Sequence, residues 1–519
     1  MIGATPSGAP KTFGQRVAAL LQRDFLVGGI TPTYYFTRWI FLRLLGIVHL
    51  IAFTSFWWQM KGLIGSNGIA PATLFLQGVI ARAEHWEHPW TRVFVAPTLC
   101  WISSGDWFLH LLCAVGVLAA TVLIADIAPA VCLAILYACY LSLASVTPDF
   151  LEKFNWDTLL LEATFLSIFF APAKLWPGVQ REEVHSRIML MLLRWMLFRL
   201  MFMSGYAKLW NDTWWNLDAM KFHYETQPLP HMLSWYAHHL PGWIHAISVV
   251  CTLTIECVLP FLLLAPRRIR AGVCAVFILF QISIGMTGNY TFFNLLVIAA
   301  CLLLLDDRHW HYLAPARWKL SLKRPPLRRL WLPRKLAMGA LACVLVVISG
   351  LQMCLILGLN IPIDSIPAFQ FADHYHVANR YGLFARMTTT RPELVIEGSA
   401  DGQQWRAYEF KWKPGDLDRR PGWVQPFQPR LDWEMWFAAS QEFPPAWFRN
   451  FCYRILEGQP EVLTLLDENP FAGTPPRYVR AIRFDYRFST PAERASSGAW
   501  WVREPLGVFM PPMTLRGRE

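Results

Sequence analysis

Apolar residues in this chain come in long, nearly unbroken runs, unlike the one-sided spacing of a soluble domain. A helix that crosses a bilayer needs about twenty mostly apolar residues. Runs of that kind cover 38–58, 107–126, 129–147, 159–176, 188–207, 243–265, 271–287, 290–306 and 337–360. The run 159–176 is short and carries Glu162. After Ile361 the pattern changes. Leu394-Val395-Ile396, a glycine-containing turn over Gly398–Gly402 and the segment Trp405–Phe410 predict a β-hairpin. Tyr478, Ile482, Phe484, Tyr486 and Phe488 alternate with Arg483, Asp485 and Arg487, which predicts a half-buried strand. A helix is expected near 447–457. The predicted fold is a polytopic α-helical membrane bundle of about nine transmembrane helices, followed by a mostly β soluble domain. Its segments are a cytosolic 1–33, the bundle 34–360 and a lumenal or periplasmic 361–519.

Charge orients this arrangement. Only 16% of the 519 residues are charged and 55% are hydrophobic, against about 25% charged in a typical soluble protein. The formal charge of +11 sits mostly in short connections, so it points to topology and not to a nucleic acid partner. With the N-terminus inside, the inner connections hold eighteen Lys and Arg, nine of them between Asp307 and Leu336. The outer ones hold six: Lys61, Arg82, Arg92, Lys153, Lys208 and Lys221. That bias puts the tail outside, with the long aromatic loops 59–106, 148–158 and 208–242. Residues 1–33 carry no cleavable signal, so the first run is expected to stay as an anchor. Most of the eleven cysteines fall in apolar runs, where they act as small hydrophobes. Cys100 and Cys452 either pair or remain free thiols.

Charges inside a membrane are costly and often functional. Arg43, Glu162, Arg194, Arg199 and Glu256 lie deep in apolar runs, while Arg38 and Lys208 lie near helix ends and could snorkel. Ion pairs between helices explain them; a functional polar cavity is the other reading. A partly desolvated Lys208 could serve as a base, with Asn155, Asp157, His223 and Glu225 as companions. The sequence alone favours the plainer reading, an anchor at the helix end beside the aromatic Trp210, Trp214 and Trp215. The histidine-rich loop after Lys221 fits no recognised metal spacing, so it is expected to pack on the tail or on a client. No nucleophile elbow, zinc-protease motif or phosphate-binding glycine loop is present, and no metal or cofactor is implied. In the tail, Arg380, Tyr381, Asp432, Trp433 and Trp436 are candidates for client contact or for holding the tail on the outer loops. Trp405, Trp412, Trp423 and Trp447 could join them in an aromatic patch.

Several strings resemble one family over nearly the full length. They are Arg38-Trp39-Ile40-Phe41-Leu42-Arg43, Gly62-Leu63-Ile64-Gly65 and Asn155-Trp156-Asp157-Thr158-Leu159-Leu160-Leu161-Glu162 in the bundle. Phe222-His223-Tyr224-Glu225-Thr226-Gln227-Pro228-Leu229-Pro230 and Asn379-Arg380-Tyr381-Gly382-Leu383-Phe384 follow. Pro429-Arg430-Leu431-Asp432-Trp433-Glu434-Met435-Trp436-Phe437 and Pro475-Pro476-Arg477-Tyr478-Val479-Arg480 complete the set. The chain resembles the lipase maturation factors. The resemblance implies a folding and assembly factor for secreted homodimeric lipases, in the endoplasmic reticulum membrane with a lumenal tail. The Ala-, Arg- and Trp-rich composition looks bacterial, which would put the tail in the periplasm. More distantly, Gly205-Tyr206-Ala207-Lys208-Leu209 is similar to the end-of-helix lysine motif of the vitamin K-dependent gamma-glutamyl carboxylase group. In that group the lysine is a base, but the histidine of its second key region is replaced here by Asn155-Trp156-Asp157.

Three functions follow. A maturation factor would bind a secreted client on the outer loops and tail. A membrane enzyme would act through Lys208 on a lipid-soluble or secreted substrate. A transporter would show matched broken helices in two halves, which the sequence lacks.

Overall fold

In the computed structural model, residues 33–83, 91–178, 186–313, 332–359, 361–362 and 366–515 are described. The expected cytosolic segment lies outside them, apart from Thr33, as does most of the basic connection 307–336.

The bundle helices are α1 (Tyr35–Ile64), α2 (Asp106–Ile124), α3 (Pro129–Ser145), α4 (Asn155–Phe170) and α5 (Arg187–Lys208). They continue as α6 (Gly242–Leu264), α7 (Arg267–Gly285), α8 (Phe293–Leu302) and α9 (Leu332–Ile356). Among the described residues, six are long and apolar enough to cross a membrane: α1, α2, α5, α6, α7 and α9. The protein is a multi-pass membrane protein. Where the sequence predicts about nine spans, these six are accompanied by the shorter helices α3, α4 and α8. Successive helices α1 to α5 pack side by side, α9 lies on α5, and α8 returns to α1. Leu279 at 65% exposure, Val347 at 59% and their neighbours on α6, α7 and α9 form the apolar outer surface, as lipid contact requires.

Helix ends gather at two poles. At one, Asp307 accepts hydrogen bonds from the backbone N–H groups of Tyr35 and Phe36 at 2.8 and 2.9 Å. It thereby caps the free donors of the α1 N-terminus. Arg43 pairs with Asp126, and Arg267 with Asp306 at 2.8 Å. Arg194 spans into this pole and donates to the Leu303 carbonyl at 2.8 Å. Arg38 does not snorkel to water: it is 1% exposed.

The tail docks on the other pole. Its sheet is antiparallel in the order β3-β2-β1-β4-β5. The strands are β1 (Pro392–Ser399), β2 (Arg406–Phe410), β3 (Leu466–Glu468), β4 (Tyr478–Phe488) and β5 (Trp501–Met513). Helix α10 (Arg430–Ala439) packs on β1 and α11 (Ala446–Glu457) on β4. The tail is therefore a sheet carrying helices, and the expectation of a mostly β domain is corrected. The simple alternation expected for β4 also fails. Val479 and Ala481 are buried at one end, Tyr486 and Phe488 at the other. The two ends of β4 are covered on opposite faces: Val479 and Ala481 join the main core, while Tyr486 and Phe488 pack with Trp235, Trp500 and Trp501. Cys100 and Cys452 are both buried free thiols.

The docking is intimate. A Cβ on Gly62 of α1 would stand 2.5 Å from the Glu461 carbonyl of the tail, so only glycine allows this approach.

Candidate functional site

Four buried clusters join the tail to the bundle. The first is built on Asp157, at the mouth of α4 with no solvent exposure. Pro429 starts α10 and leaves Arg430 in its first turn, aimed into the bundle. The Arg430 guanidinium donates to both Asp157 oxygens, at 2.7 and 3.0 Å, and to the Phe150 carbonyl at 2.6 Å. The Tyr140 hydroxyl donates to the same carboxylate. The Arg430 backbone N–H donates to Gln59 of α1 at 2.8 Å, and Gln59 donates to the Gln428 carbonyl at 2.7 Å. Every Asp157 oxygen is satisfied, the condition under which a buried pair holds. The grouping of Asp157 with Lys208 is thus corrected: it belongs to the seam.

The second cluster centres on Glu162, 1% exposed. It pairs with Arg199 of α5. Its other oxygen accepts from the Asn379 backbone at 2.9 Å and the Tyr381 hydroxyl at 2.8 Å. Arg199 closes the ring by donating to the Asn379 carbonyl at 2.9 Å. Arg380, between them, points outward and is exposed.

The third holds the outer loop. The short helix Ala219–Thr226 ends in Gln227-Pro228-Leu229-Pro230, whose prolines remove donors and leave carbonyls to be satisfied. Arg391 supplies them: it donates to Glu225 O at 2.7 Å, to Pro228 O at 2.9 Å and to Gln227 O. Glu225 accepts from the Phe488 N–H at 2.8 Å and faces His238 at 3.5 Å. Burial raises the Glu225 pKa and, with His239 and His245 nearby, pushes His238 down to about 4. Trp436 donates to the Thr226 carbonyl at 2.8 Å. Trp433 packs on Trp156 with ring centres 4.8 Å apart. Asp432 stays inside the tail, accepting from the Trp412 and Lys413 N–H groups at 2.8 and 2.9 Å, and burial raises its pKa. Glu434, 0% exposed, meets Lys153 at 3.0 Å; burial pushes its carboxyl up to about 7.

The fourth surrounds Lys208, 3% exposed at the end of α5. Pro260 lacks the N–H that would bond the Glu256 carbonyl one turn earlier, and α6 widens there into a π-turn over Thr254–Val258. Gly205 lets α5 approach: a Cβ there would lie 2.7 Å from Glu256. Lys208 then meets Glu256 at 2.6 Å and donates to the Leu383 and Ser204 carbonyls at 2.8 and 3.3 Å. All three ammonium hydrogens are used, and the lysine does not snorkel. Phe384, with φ of 53°, turns its ring onto His223 and Tyr290, 5.2 and 5.4 Å between centres. Beside the pair lies a cavity walled by Met201, His223, Phe280, Gln281 and Tyr290.

Of the residues singled out from sequence, Lys208, Glu256 and His223 come together, while Asn155, Asp157 and Glu225 lie at other points of the seam. Arg43 and Arg194 serve the opposite pole. Of the tryptophans, Trp433 and Trp447 are buried, Trp405, Trp412 and Trp436 are half-buried, and Trp423 at 44% is exposed. The six therefore do not form one exposed patch. Arg391, Arg430 and Gln59 were not singled out, although Arg430 stands inside a quoted string. The unpaired Asp157 was the available signal. No group of three or more potential metal ligands exists among the described residues.

Comparison with known proteins matches these two parts separately. Residues 36–312 match the lipase maturation factor transmembrane domain and residues 377–511 the lipase maturation factor C-terminal domain. The chain is 34% identical to lipase maturation factor 2 of Homo sapiens, over 92% of this chain and 82% of that protein. It is 33% identical to lipase maturation factor 1 of Mus musculus, over 93% and 88%. With lipase maturation factor 1 of Bos taurus the identity is 34%, over 93% and 91%. No solved structure matches it.

Proposed function

The chain belongs to the lipase maturation factor family, and on that premise we propose that it matures secreted lipases as a membrane-embedded folding factor. The observation that carries this is the likeness over both the bundle and the tail, the two parts that the buried seam joins into one body. A seam of buried ion pairs gives a client a stiff platform, since binding then costs little ordering of the platform itself.

The chain is proposed to cross the membrane nine times, with the tail on the non-cytosolic side, in the periplasm or the lumen of the endoplasmic reticulum. The bias of Lys and Arg supports that side, and so does the gathering of the tail contacts at one pole of the bundle. Client contact is assigned to the free edge of β5 and the loop beside α11. There Phe443, Leu506 and Val508 are 72%, 57% and 64% exposed. Exposed apolar side chains along a sheet edge are a binding surface for an unfinished chain. Asp432, Trp433, Trp436 and Tyr381 position that surface and do not touch the client.

The test is co-expression with a secreted lipase in cells lacking a maturation factor of their own. Secreted lipase activity per unit of lipase protein should rise with the intact chain. It should fall back with Leu506→Asp/Val508→Asp at unchanged abundance. No rise with the intact chain refutes the function; a rise that the double variant keeps refutes the surface.

A further inference from the structure

We propose that the cavity beside Lys208 and Glu256 is a binding site for an uncharged lipid, an apolar chain carrying a carbonyl or ester oxygen and a hydroxyl, that enters from the bilayer. This goes beyond the maturation of a client and does not depend on it.

The wall is mostly hydrocarbon and aromatic: Leu200, Met201, Phe280, Ile284 and Phe293 line it. Its one ion pair is internally neutralised, because Lys208 spends its three hydrogens on Glu256 and two carbonyls. The neighbouring His223 is held neutral, pushed down to about 4 by burial and then by the Lys208 charge. A charged ligand would find no counter-charge left.

Polar atoms in the same wall lack partners. Among the described residues, the indole N–H groups of Trp156 and Trp214, the amide oxygen of Gln281 and Nδ1 of His223 make no hydrogen bond. All four residues line the cavity and are buried, Trp214 to 1% and Gln281 to 2% exposure. Buried polar atoms left unbonded cost about 1–3 kcal/mol each, so a cluster of them around one space marks an occupant. Indole nitrogens only donate and the Gln281 oxygen only accepts, so that occupant brings both an acceptor oxygen and a hydroxyl donor.

The route is set by α6 and α7. Helix α7 packs on the 259–264 end of α6, while contact with the 242–253 part is sparse among the described residues. Phe280 and Ile284 are half-buried on the face of α7 that continues to Leu279 and Ile282, 65% and 47% exposed to lipid. The opening therefore lies among lipid-facing side chains.

The test uses the purified full chain in nanodiscs with two photoreactive probes. One is a phosphatidylcholine with a diazirine in its acyl chain; the other is a monoacylglycerol with the same acyl group. Crosslinks mapped by mass spectrometry should fall on Met201 or Phe293 and be competed by the same lipid without diazirine. Competed labelling by the monoacylglycerol supports the site; labelling of Met201 by the phosphatidylcholine alone shows a zwitterionic occupant and overturns the uncharged one. Ile284→Trp, which fills the space, should cut labelling of Met201 by about tenfold or more, with the melting temperature kept as evidence of folding. Trp214→Phe removes one N–H and keeps an aromatic ring, so labelling should weaken about three- to tenfold. Uncompeted labelling confined to Leu279 and Ile282, or labelling of Met201 that neither variant changes, overturns the proposal.

Discussion

Two buried acid–base pairs sit in one layer of this protein, and their surroundings differ. Asp157 and Arg430 are sealed on all sides: the carboxylate is filled by guanidinium and phenol, and both residues are fully buried. Lys208 and Glu256 have an equally short bond but border a cavity whose wall holds unbonded polar atoms. The same chemistry serves as a joint in one place and as the wall of a chamber in the other. What separates them is the space beside the pair, which no residue type encodes.

The sealed pair should be the most sensitive. Arg430→Met leaves Asp157 charged, buried and facing a carbonyl, a change that costs about 3–5 kcal/mol. We expect loss of folded protein from the membrane fraction, measured by abundance and thermal melting. The double variant Asp157→Leu/Arg430→Met should recover most of that loss. If Arg430→Met melts like the parent, the pair is not a joint and the contrast fails. Next in size is Arg391→Lys. A lysine cannot fork across the Glu225, Gln227 and Pro228 carbonyls, at a cost of about 2–3 kcal/mol. Hydrogen exchange should speed up in residues 225–230 while β1 stays protected. Equal exchange in both proteins would show that the loop is held by Gln227 and Tyr290 alone.

Lys208→Met sharpens the comparison from the other side. Glu256 can take up a proton at the cavity wall and so sheds its charge, and the loss should be about 1–2 kcal/mol, less than for Arg430→Met. Lipase maturation should persist. A Lys208→Met protein that is abundant yet inactive in maturation would give the lysine a chemical role.

How much of this the sequence disclosed follows from the kind of signal. The runs that became α1, α2, α5, α6, α7 and α9 were legible because lipid contact demands a continuous apolar length. Helix α4 was displaced: its polar mouth, Asn155 to Asp157, looked like a loop because its partner Arg430 lies 273 residues away. The hairpin β1–β2 was legible through its turn, while the change of buried face along β4 was not, since its two ends are covered by different distant elements. Lys208, Glu256 and His223 were each visible as unusual residues. Their meeting depends on Gly205 and on the π-turn before Pro260, which act through packing. Asp157 beside Lys208 was the natural grouping on the chain and the wrong one in space, because α4 turns that face to the tail.

The smallest effect tests the seam through pH. Glu434 is buried against the half-exposed Lys153, and burial raises its carboxyl from the ordinary 4.5 to about 7. A raised carboxyl takes up a proton in the folded state before the unfolded chain does. Its contribution to stability is whole below pH 4.5 and is lost as pH rises through about 7. His223 and His238, pushed down to about 4, act oppositely: their contribution is present above the usual histidine range and is lost as pH falls through 4. These histidines are unchanged in Glu434→Gln, so the difference between the two proteins isolates the glutamate. The variant should gain on the parent by about 1 kcal/mol between pH 5 and pH 8, less than one buried charge would give because Lys153 loses its partner. Melting curves across that range give the answer. Parallel profiles would mean that Lys153 already holds Glu434 ionised at pH 5, and that this end of the seam is as well satisfied as the Asp157 end.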